Sequence, residues 1–455
     1  MKKGQIRKKI GWSILVILSF FYFYAGRNFL SVSMAKGPLV NCRVDLDRDV
    51  LLADNPQNVV VKVTLCAPEQ PGNAERPPAN LAIVLDRSGS MSGQKLEKAK
   101  DAAIFALRRL GPQDIFSVIV YDHNVKTIVP AQSARNVEWI ESRIKEIRPG
   151  GNTALFGGVS QGASEIRKNL KRKYVHRIIL LSDGIANVGP SSPEDLGRLG
   201  AALLKEDISV TTIGVGTDYN EDLMTNLSQN SDGNTYFVES SMDLPRIFAA
   251  ELGDTLSVVA KNVHVIIECP DGIKPVRIIG REGRIKGRIV EMSMNQLYGG
   301  QEKYALVEVV TSAGKSGEDM EVAIAKVTYE NPFTLQKETS KGRAKAMLSK
   351  DSLKVEKSVN VSVQRELQFN LDALAQEEAI NLSDQGKSAA AIRKLKSSAQ
   401  KLRSFGIKYN DKEVLDKAED LEKKADIIKT EGMTKKHRKE LRTKSYQIKN
   451  QQSSY

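Results

Sequence analysis

Residues 80–91, NLAIVLDRSGSM, decide the fold class, because an uninterrupted apolar run ends there in a carboxylate followed by two hydroxyls. Positions 81–85 contain no polar side chain, which predicts a strand buried on both faces, as in a parallel sheet covered by helices. Asp86 ends the strand, and the polar turn at 87–91 leads into a predicted helix over 95–110. In an open α/β sheet, ligands bind beyond the carboxyl ends of such strands.

Two later stretches supply the rest of a polar crevice at that edge of the sheet. Residues 148–153, RPGGNT, form a glycine-rich loop with a lone threonine ahead of a helical pattern, and residues 178–183 are a second buried strand ending in an aspartate. Because the carboxyl ends of parallel strands meet at one edge, the polar residues that follow them share one crevice. The residues predicted to meet there are Asp86, Ser88, Ser90, Thr153 and Asp183.

The five positions together, Asp-x-Ser-x-Ser followed by Thr and then Asp, resemble the metal-ion-dependent adhesion site of von Willebrand factor type A domains. The resemblance implies that the hydroxyls of Ser88, Ser90 and Thr153 bind a divalent cation. It also implies that the carboxylates of Asp86 and Asp183 hold the cation directly or through water. Oxygen donors with few carboxylates suit a hard octahedral ion, so Mg²⁺ is expected, with Mn²⁺ and Ca²⁺ as alternatives.

Two carboxylates leave a divalent ion without surplus negative charge, so an Asp or Glu of a protein partner can replace a water on it. Taken alone, residues 86–90 also fit an Asx turn and a helix cap, in which Asp and Ser are the commonest residues. The order of the pieces favours the metal site, because the motif follows a strand and opens a helix. Arg87 and Met91 adjoin the motif and are candidates for contacts that select the partner.

The alternation of elements predicts an α/β fold, with a doubly wound, Rossmann-like domain inserted into a β-sandwich and followed by a helical segment. Six strands in the order 3-2-1-4-5-6 place the strands ending in Asp86 and Asp183 beside the reversal point. Residues 333–338 and 355–365 are predicted as the last sandwich strands. The predicted segments follow one another along the chain. They are an export signal or anchor (1–36), the first sandwich strands (42–78), the inserted domain (79–257), the remaining sandwich strands (258–366), the helical segment (367–430) and a basic tail (431–455).

The N-terminus has the pattern of an export signal, with a basic stretch at 1–9 and an apolar stretch at 10–26. The apolar stretch is near the lower limit for a spanning helix and ends in aromatic residues, so we favour an uncleaved membrane anchor over cleavage near Ala35. Either outcome places the rest of the chain outside the cytoplasm, in the cell envelope.

The positive charge of the chain lies at its two ends. Residues 1–36 hold seven Lys and Arg and no acid, and residues 429–455 hold eight against two acids, which accounts for the net charge of +13. A basic stripe on a folded domain is therefore not indicated, and no nucleic acid partner is expected. The basic tail is expected to be a solvated end, or else a contact for anionic lipid, wall polymer or an acidic protein.

The sequence supports a catalytic function less well than a binding function. Residues 158–162 match the G-x-S-x-G nucleophile elbow, but they lie within a predicted helix instead of following a strand. No histidine lies in the three site loops, so metal-assisted hydrolysis lacks a general base. We therefore predict a non-enzymatic, metal-dependent protein-binding protein of the cell envelope that captures an acidic residue of its partner. The alternatives are a scaffold in which the metal only ties loops together, and a metal-dependent hydrolase.

Overall fold

The structure is a computed structural model that describes residues 38–69 and 76–452. The predicted export signal or anchor at 1–36 lies outside the described residues. In the part of the chain that is described, no helix combines the length and the apolar character needed to cross a membrane.

The described chain contains sixteen strands and eleven α-helices. The strands are β1 (Asn41–Leu46), β2 (Val50–Leu52), β3 (Gln57–Cys66), β4 (Ala79–Asp86), β5 (Ile115–Tyr121), β6 (Val125–Ser133), β7 (Val175–Ser182), β8 (Ile208–Val215), β9 (Thr235–Val238), β10 (Val258–Glu268), β11 (Ile273–Ile279), β12 (Arg284–Lys286), β13 (Ile289–Tyr298), β14 (Glu302–Thr311), β15 (Asp319–Glu330) and β16 (Lys337–Ser349). The helices are α1 (Gln94–Arg108), α2 (Val137–Lys145), α3 (Leu155–Arg167), α4 (Pro193–Leu204), α5 (Glu221–Asn230), α6 (Leu244–Leu256), α7 (Ser352–Lys357), α8 (Val361–Asp384), α9 (Ser388–Tyr409), α10 (Lys412–Glu431) and α11 (Lys435–Asn450).

Six strands form the sheet of the inserted α/β domain, in the order β6-β5-β4-β7-β8-β9. Counted within the domain, this is the predicted order 3-2-1-4-5-6, and the neighbouring β4 and β7 flank the reversal point. All pairs are parallel except that of β6 with β5. Every residue of β4 is buried, because its alternate side chains enter two apolar cores under the helices on either face of the sheet.

Two sheets of mainly antiparallel strands form the sandwich, in the orders β1-β3-β14-β11 and β12-β13-β10-β15-β16-β2. Strands β1 to β3 precede the α/β domain, yet β3 pairs with β14 and β2 pairs with β16, which both follow it. The two sheets are joined by side chains, since the amide of Val40 donates to Tyr329 Oη at 2.8 Å and that of Cys42 to Ser340 Oγ at 3.1 Å. The predicted insertion of an α/β domain into a sandwich is therefore confirmed.

The end of the sandwich differs from the prediction. Residues 355–365, predicted as a strand, lie in α7 and at the start of α8, because the side chains of Asp351 and Asn360 cap these two helices. Residues 333–336 form a turn in which Asn331 Oδ1 accepts from the amide of Phe333 at 2.9 Å, and the last strand begins at Lys337. Alternating valines and polar residues favoured a strand, and the capping side chains outweighed that pattern.

The helical segment begins earlier and ends later than predicted, since helices run from Ser352 to Asn450. Helices α8 to α11 share an apolar core. The predicted basic tail at 431–455 is wrong as a solvated end, because α11 begins at a Thr434 cap and packs against the α/β domain. Lys439 is almost completely buried, and its Nζ lies 2.8 Å from Glu221 Oε2 on α5. Glu221 lies 218 residues before Lys439 in the sequence, so composition near the end gave no sign of this pair.

Candidate metal centre

The five predicted site residues meet at the carboxyl edge of the α/β sheet. Asp86 is the last residue of β4, Ser88 and Ser90 lie in the turn before α1, Thr153 lies just before α3, and Asp183 follows β7. Ser90 Oγ donates to Asp183 Oδ1 at 2.7 Å and lies 3.1 Å from Ser88 Oγ. The sequence therefore located all five residues of the crevice correctly, although their role as metal ligands stays a prediction.

Gly184 shows that the oxygens face one common volume. A Cβ atom on this glycine would lie 3.2 Å from Thr153 Oγ1, 3.5 Å from Ser90 Oγ and 3.9 Å from Asp86 Oδ2. Side-chain oxygens from two loops, the turn after β4 and the threonine loop, thus lie around a point in the third loop that a methyl group would occupy. The space beside Gly184 is a cradle for a small cation, and only a residue without a side chain leaves it open.

Hydrogen bonds between the loops hold these side chains in place. The amide of Gly150 donates to Arg87 O at 2.6 Å, and the amide of Gly89 donates to Gly151 O at 3.0 Å. The amide of Thr153 donates to Asn187 Oδ1 at 2.9 Å, which ties the threonine loop to the loop after β7. Hydrogen bonds between the three loops therefore fix the positions of the oxygens that would bind a metal, as a preorganised site requires.

The two candidates for partner selection are not free surface residues. The guanidinium of Arg87 pairs with Asp122 at 2.8 Å, and the side chain of Asp122 is almost fully buried. Met91 is completely buried and packs in the apolar core beneath α1. The expectation that Met91 contacts a partner is therefore wrong, and the charge of Arg87 is committed to a pair within the domain.

Asp86 carries a buried charge without a cationic partner. Its Oδ1 accepts from the amide of Ser88 at 2.8 Å, and its Oδ2 accepts from Ser182 Oγ at 2.7 Å. Burial raises the pKa of Asp86 to about 6, the hydrogen bonds from Ser88 and Ser182 oppose this, and the charge of Asp183 adds to it. Within the described chain no basic side chain forms an ion pair with Asp86.

Two residues of the site were not identified from the sequence. Ser182 is a polar residue in an otherwise apolar strand end, and its hydroxyl orients the Asp86 carboxylate; this interruption was a usable signal. Lys95, in the first turn of α1, places its Nζ 2.5 Å from Asp183 Oδ2. Nothing in the local sequence predicts that contact, because it depends on how α1 sits relative to the loop after β7.

The donor set fits a hard divalent cation. It consists of hydroxyl and carboxylate oxygens with no nitrogen or sulfur, which suits Mg²⁺, Mn²⁺ or Ca²⁺ better than a softer ion. The described ranges contain no group of three or more His, Cys, Asp or Glu side chains arranged to hold a metal, and this site has only two such side chains, Asp86 and Asp183. Bound here, such an ion would supply positive charge against the buried carboxylates, with Ser88, Ser90 and Thr153 as the neutral donors.

The G-x-S-x-G match has a packing explanation. Residues 158–162 lie inside α3, where a Cβ at Gly158 would lie 2.6 Å from the ring of Tyr121 and one at Gly162 would lie 2.8 Å from Val84. These glycines allow the helix to approach the sheet closely. His264 follows Ser160 and Asp183 in the chain order of a hydrolase triad, but it lies on β10 in the sandwich with its Nδ1 3.0 Å from Ser293 Oγ, so it is not part of a triad with Ser160.

Comparison with known proteins finds relatives by sequence and a similar fold among solved structures. An uncharacterised protein of Synechocystis sp., sll0103, is 28% identical over 71% of this chain and 75% of its own length. The human inter-alpha-trypsin inhibitor heavy chain H3 is 26% identical over 48% of this chain, a match that spans only 26% of that protein. Among solved structures, a von Willebrand factor type A protein from Catenulispora acidiphila superposes with a TM-score of 0.70 at 16% identity, covering 90% of this chain and 98% of the other.

The family match covers the domain that carries the site. Residues 80–250 match the family model of the von Willebrand factor type A domain. Domains of this family typically bind a divalent cation at their adhesion-site motif, and they commonly act as non-catalytic modules in protein–protein interaction. The strand order, the position of the five residues and the family match agree, and this chain carries a von Willebrand factor type A domain.

Proposed function

We propose that the α/β domain binds a protein partner through a divalent cation, Mg²⁺ in the first instance, which accepts a carboxylate of that partner. The observation that carries the proposal is Asp86, a fully buried carboxylate that accepts from the Ser88 amide and the Ser182 hydroxyl and pairs with no basic side chain among the described residues. Leaving a charge buried and unpaired is costly, and a cation in the cradle beside Gly184 relieves that cost.

The site opens to solvent on one side, which supports an exchangeable position for the partner. Asp86, Ser88, Thr153 and Asp183 are buried, whereas Ser90 is exposed. Hydroxyl donors add no charge, so a divalent ion held by two carboxylates remains attractive to a third. A carboxylate that replaces a water on the ion thereby gains an electrostatic contact at low cost in desolvation of the protein.

Exposed apolar side chains near the opening favour a protein over a small anion as the partner. Ile185 follows the site aspartate by two residues and is 59% exposed. Met242, in the turn before α6, is 57% exposed and its sulfur accepts from Gln94 of α1 at 3.5 Å. Apolar side chains that flank a charged anchor are typical of the centre of a protein interface.

The location proposed for this function is the cell envelope. Support comes from the basic and apolar N-terminal pattern at residues 1–26. An uncleaved segment of this kind would hold the domain at a membrane surface, outside the cytoplasm, within reach of other envelope proteins.

The test is partner capture from a membrane extract with the immobilised protein in Mg²⁺. Captured protein is expected to elute with EDTA and to be absent from the Asp86→Ala column, while Asp101→Ala, an exposed acid on α1, captures normally. Folding of both variants is checked by circular dichroism. Capture that persists in EDTA and with Asp86→Ala would contradict the proposal.

The same preparations distinguish the alternatives. A scaffold in which the metal only joins loops would lose thermal stability in EDTA, since a ligand specific to the folded state stabilises it, but would capture nothing in a metal-dependent way. A hydrolase would turn over phosphate or carboxylate ester substrates in Mg²⁺ or Mn²⁺, and this activity would disappear with Asp86→Ala.

A further inference from the structure

We propose that Lys95 is a tethered cation that occupies Asp183 in the metal-free protein and that a metal ion must displace, so that this lysine sets the metal concentration at which the site fills. The inference rests on the proposed metal-binding function and concerns a residue outside the adhesion-site motif. It assigns to Lys95 a role in metal affinity and not in partner recognition.

The geometry at Asp183 shows the competition. Its Oδ1 accepts from Ser90 Oγ at 2.7 Å, and its Oδ2 accepts from Lys95 Nζ at 2.5 Å. Both carboxylate oxygens are therefore engaged, and the carboxylate itself is completely buried. A cation that draws charge from Asp183 has to share it with the ammonium group or replace that group.

Lys95 can leave this position without unfolding its helix. Its side chain is 36% exposed, and the flexible four-carbon stem of a lysine reaches several positions from one backbone site. A buried and fully enclosed lysine would be a fixed structural partner of Asp183. The partial exposure of Lys95 instead gives it a path to solvent when another cation enters.

A second carboxylate lies close to the path of the released ammonium. Lys95 Nζ would lie 3.7 Å from a Cβ on Gly216, in the loop after β8. Asp218 follows in the same loop, is well exposed and pairs with Lys435 of α11 at 3.0 Å. The pKa of Asp218 is lowered, chiefly by its hydrogen bond to Lys435 and in smaller part by the charge of Lys95. The charge of Lys95 already acts on Asp218, so this acid is the neighbour that a displaced ammonium would approach.

The balance of charges at the site predicts how Lys95 changes the affinity for the metal. Without metal, Lys95 compensates one of the two buried carboxylates, Asp183, and leaves Asp86 uncompensated. A divalent ion neutralises both, after which the ammonium is a like charge next to the ion. Removing Lys95 should therefore destabilise the metal-free protein and strengthen metal binding.

The experiment is calorimetric titration with Mg²⁺ at pH 8 of the wild-type protein and of Lys95→Met. Because a unit charge at short range is removed from beside the ion, the Kd for Mg²⁺ is expected to fall about tenfold. Lys98→Met is the matched control, since Lys98 is on the same helix, pairs with Asp101 at 3.2 Å and should leave the Kd unchanged.

A measurement on the unmodified protein covers the case in which Lys95→Met fails to fold. Acetylation by an N-hydroxysuccinimide ester, followed by peptide mass spectrometry, reports the accessibility of each lysine amine. Lys95 is expected to react slowly without metal and several-fold faster in saturating Mg²⁺, while Lys98 reacts at one rate in both conditions.

The outcomes separate this inference from the proposed function. Equal Kd values for wild type and Lys95→Met, or a Lys95 reactivity that does not rise in Mg²⁺, would overturn the competition and leave the metal site in place. Absence of Mg²⁺ binding by the wild type and by Lys95→Met alike would overturn the metal-binding function together with the inference built on it.

Discussion

Replacing His176 with glutamine is expected to remove a defined pH dependence from the folding stability of this protein. His176 lies near the start of β7, is 2% exposed, and its Nδ1 is 3.2 Å from Asn80 Nδ2. The pKa of His176 is lowered from 6.5 to about 4, mainly by burial and in smaller part by the positive charge of Lys261. Lys261 is paired with Asp207, and a backbone hydrogen bond at Lys171 opposes the shift only in part.

The sign and the size of the effect follow from proton linkage. The folded pKa is below the unfolded one, so the unfolded chain binds the proton first as the pH falls. Stability is therefore unaffected by this group above pH 6.5, is lost progressively below it, and stops changing below the folded pKa of about 4. With these two values, the loss at pH 5 relative to pH 7.5 is about 2 kcal/mol.

Urea unfolding followed by circular dichroism, at pH 7.5 and at pH 5, measures this loss. Many acids also titrate in this range, so the useful quantity is the difference between wild type and His176→Gln at each pH. That difference should shift by about 2 kcal/mol in favour of the variant on acidification. A parallel pH dependence in wild type and His176→Gln would refute the reasoning.

Three further substitutions test the site and the C-terminal helix. Asp86→Asn should raise the free energy of unfolding in EDTA by about 2 kcal/mol, because a buried charge is removed, and should abolish the stabilisation by Mg²⁺ seen in thermal melts. Gly184→Ala places a methyl group 3.2 Å from the threonine hydroxyl of the site and should weaken Mg²⁺ binding at least about tenfold by calorimetry, whereas Gly253→Ala, with nothing within 4 Å, should not. Lys439→Ala leaves Glu221 buried beside a single cation and should lower the free energy of unfolding by about 2 kcal/mol in urea titration, an effect that a solvated tail would not produce.

Most features of the fold that depend on neighbours in the chain were predictable, whereas contacts with distant partners were not. The strand ending in Asp86 and the order of the six-stranded sheet followed from apolar runs, helical spacing and known connection rules. The strand predicted at 355–365 failed although the deciding residues are local, because the caps at Asp351 and Asn360 compete with a β-branched pattern that favours the opposite state.

In the candidate site, likewise, residues in local sequence patterns were predicted, whereas contacts between distant segments were not. The five motif residues were found because each follows a recognisable strand or loop, and the common edge of a parallel sheet brings them together. The contact of Lys95 with Asp183 joins residues 88 positions apart, and no pattern in either segment encodes it. Met91 was placed at the surface because it ends a polar turn, but the turn folds back and buries the side chain under α1.

The α11 helix links the α/β domain to the sandwich, so the loop beside the metal site is not isolated from the rest of the chain. At its start Lys435 pairs with Asp218, in the loop that also lies near Lys95. Just beyond its end, Gln451 Oε1 accepts from the guanidinium of Arg281 at 2.7 Å and from the amide of Tyr304 at 3.2 Å, both in the sandwich. Because Lys439 is buried against Glu221 between these two contacts, the helix is held along its length, and a movement of the loop after β8 has to be accommodated by the helix or by the sandwich.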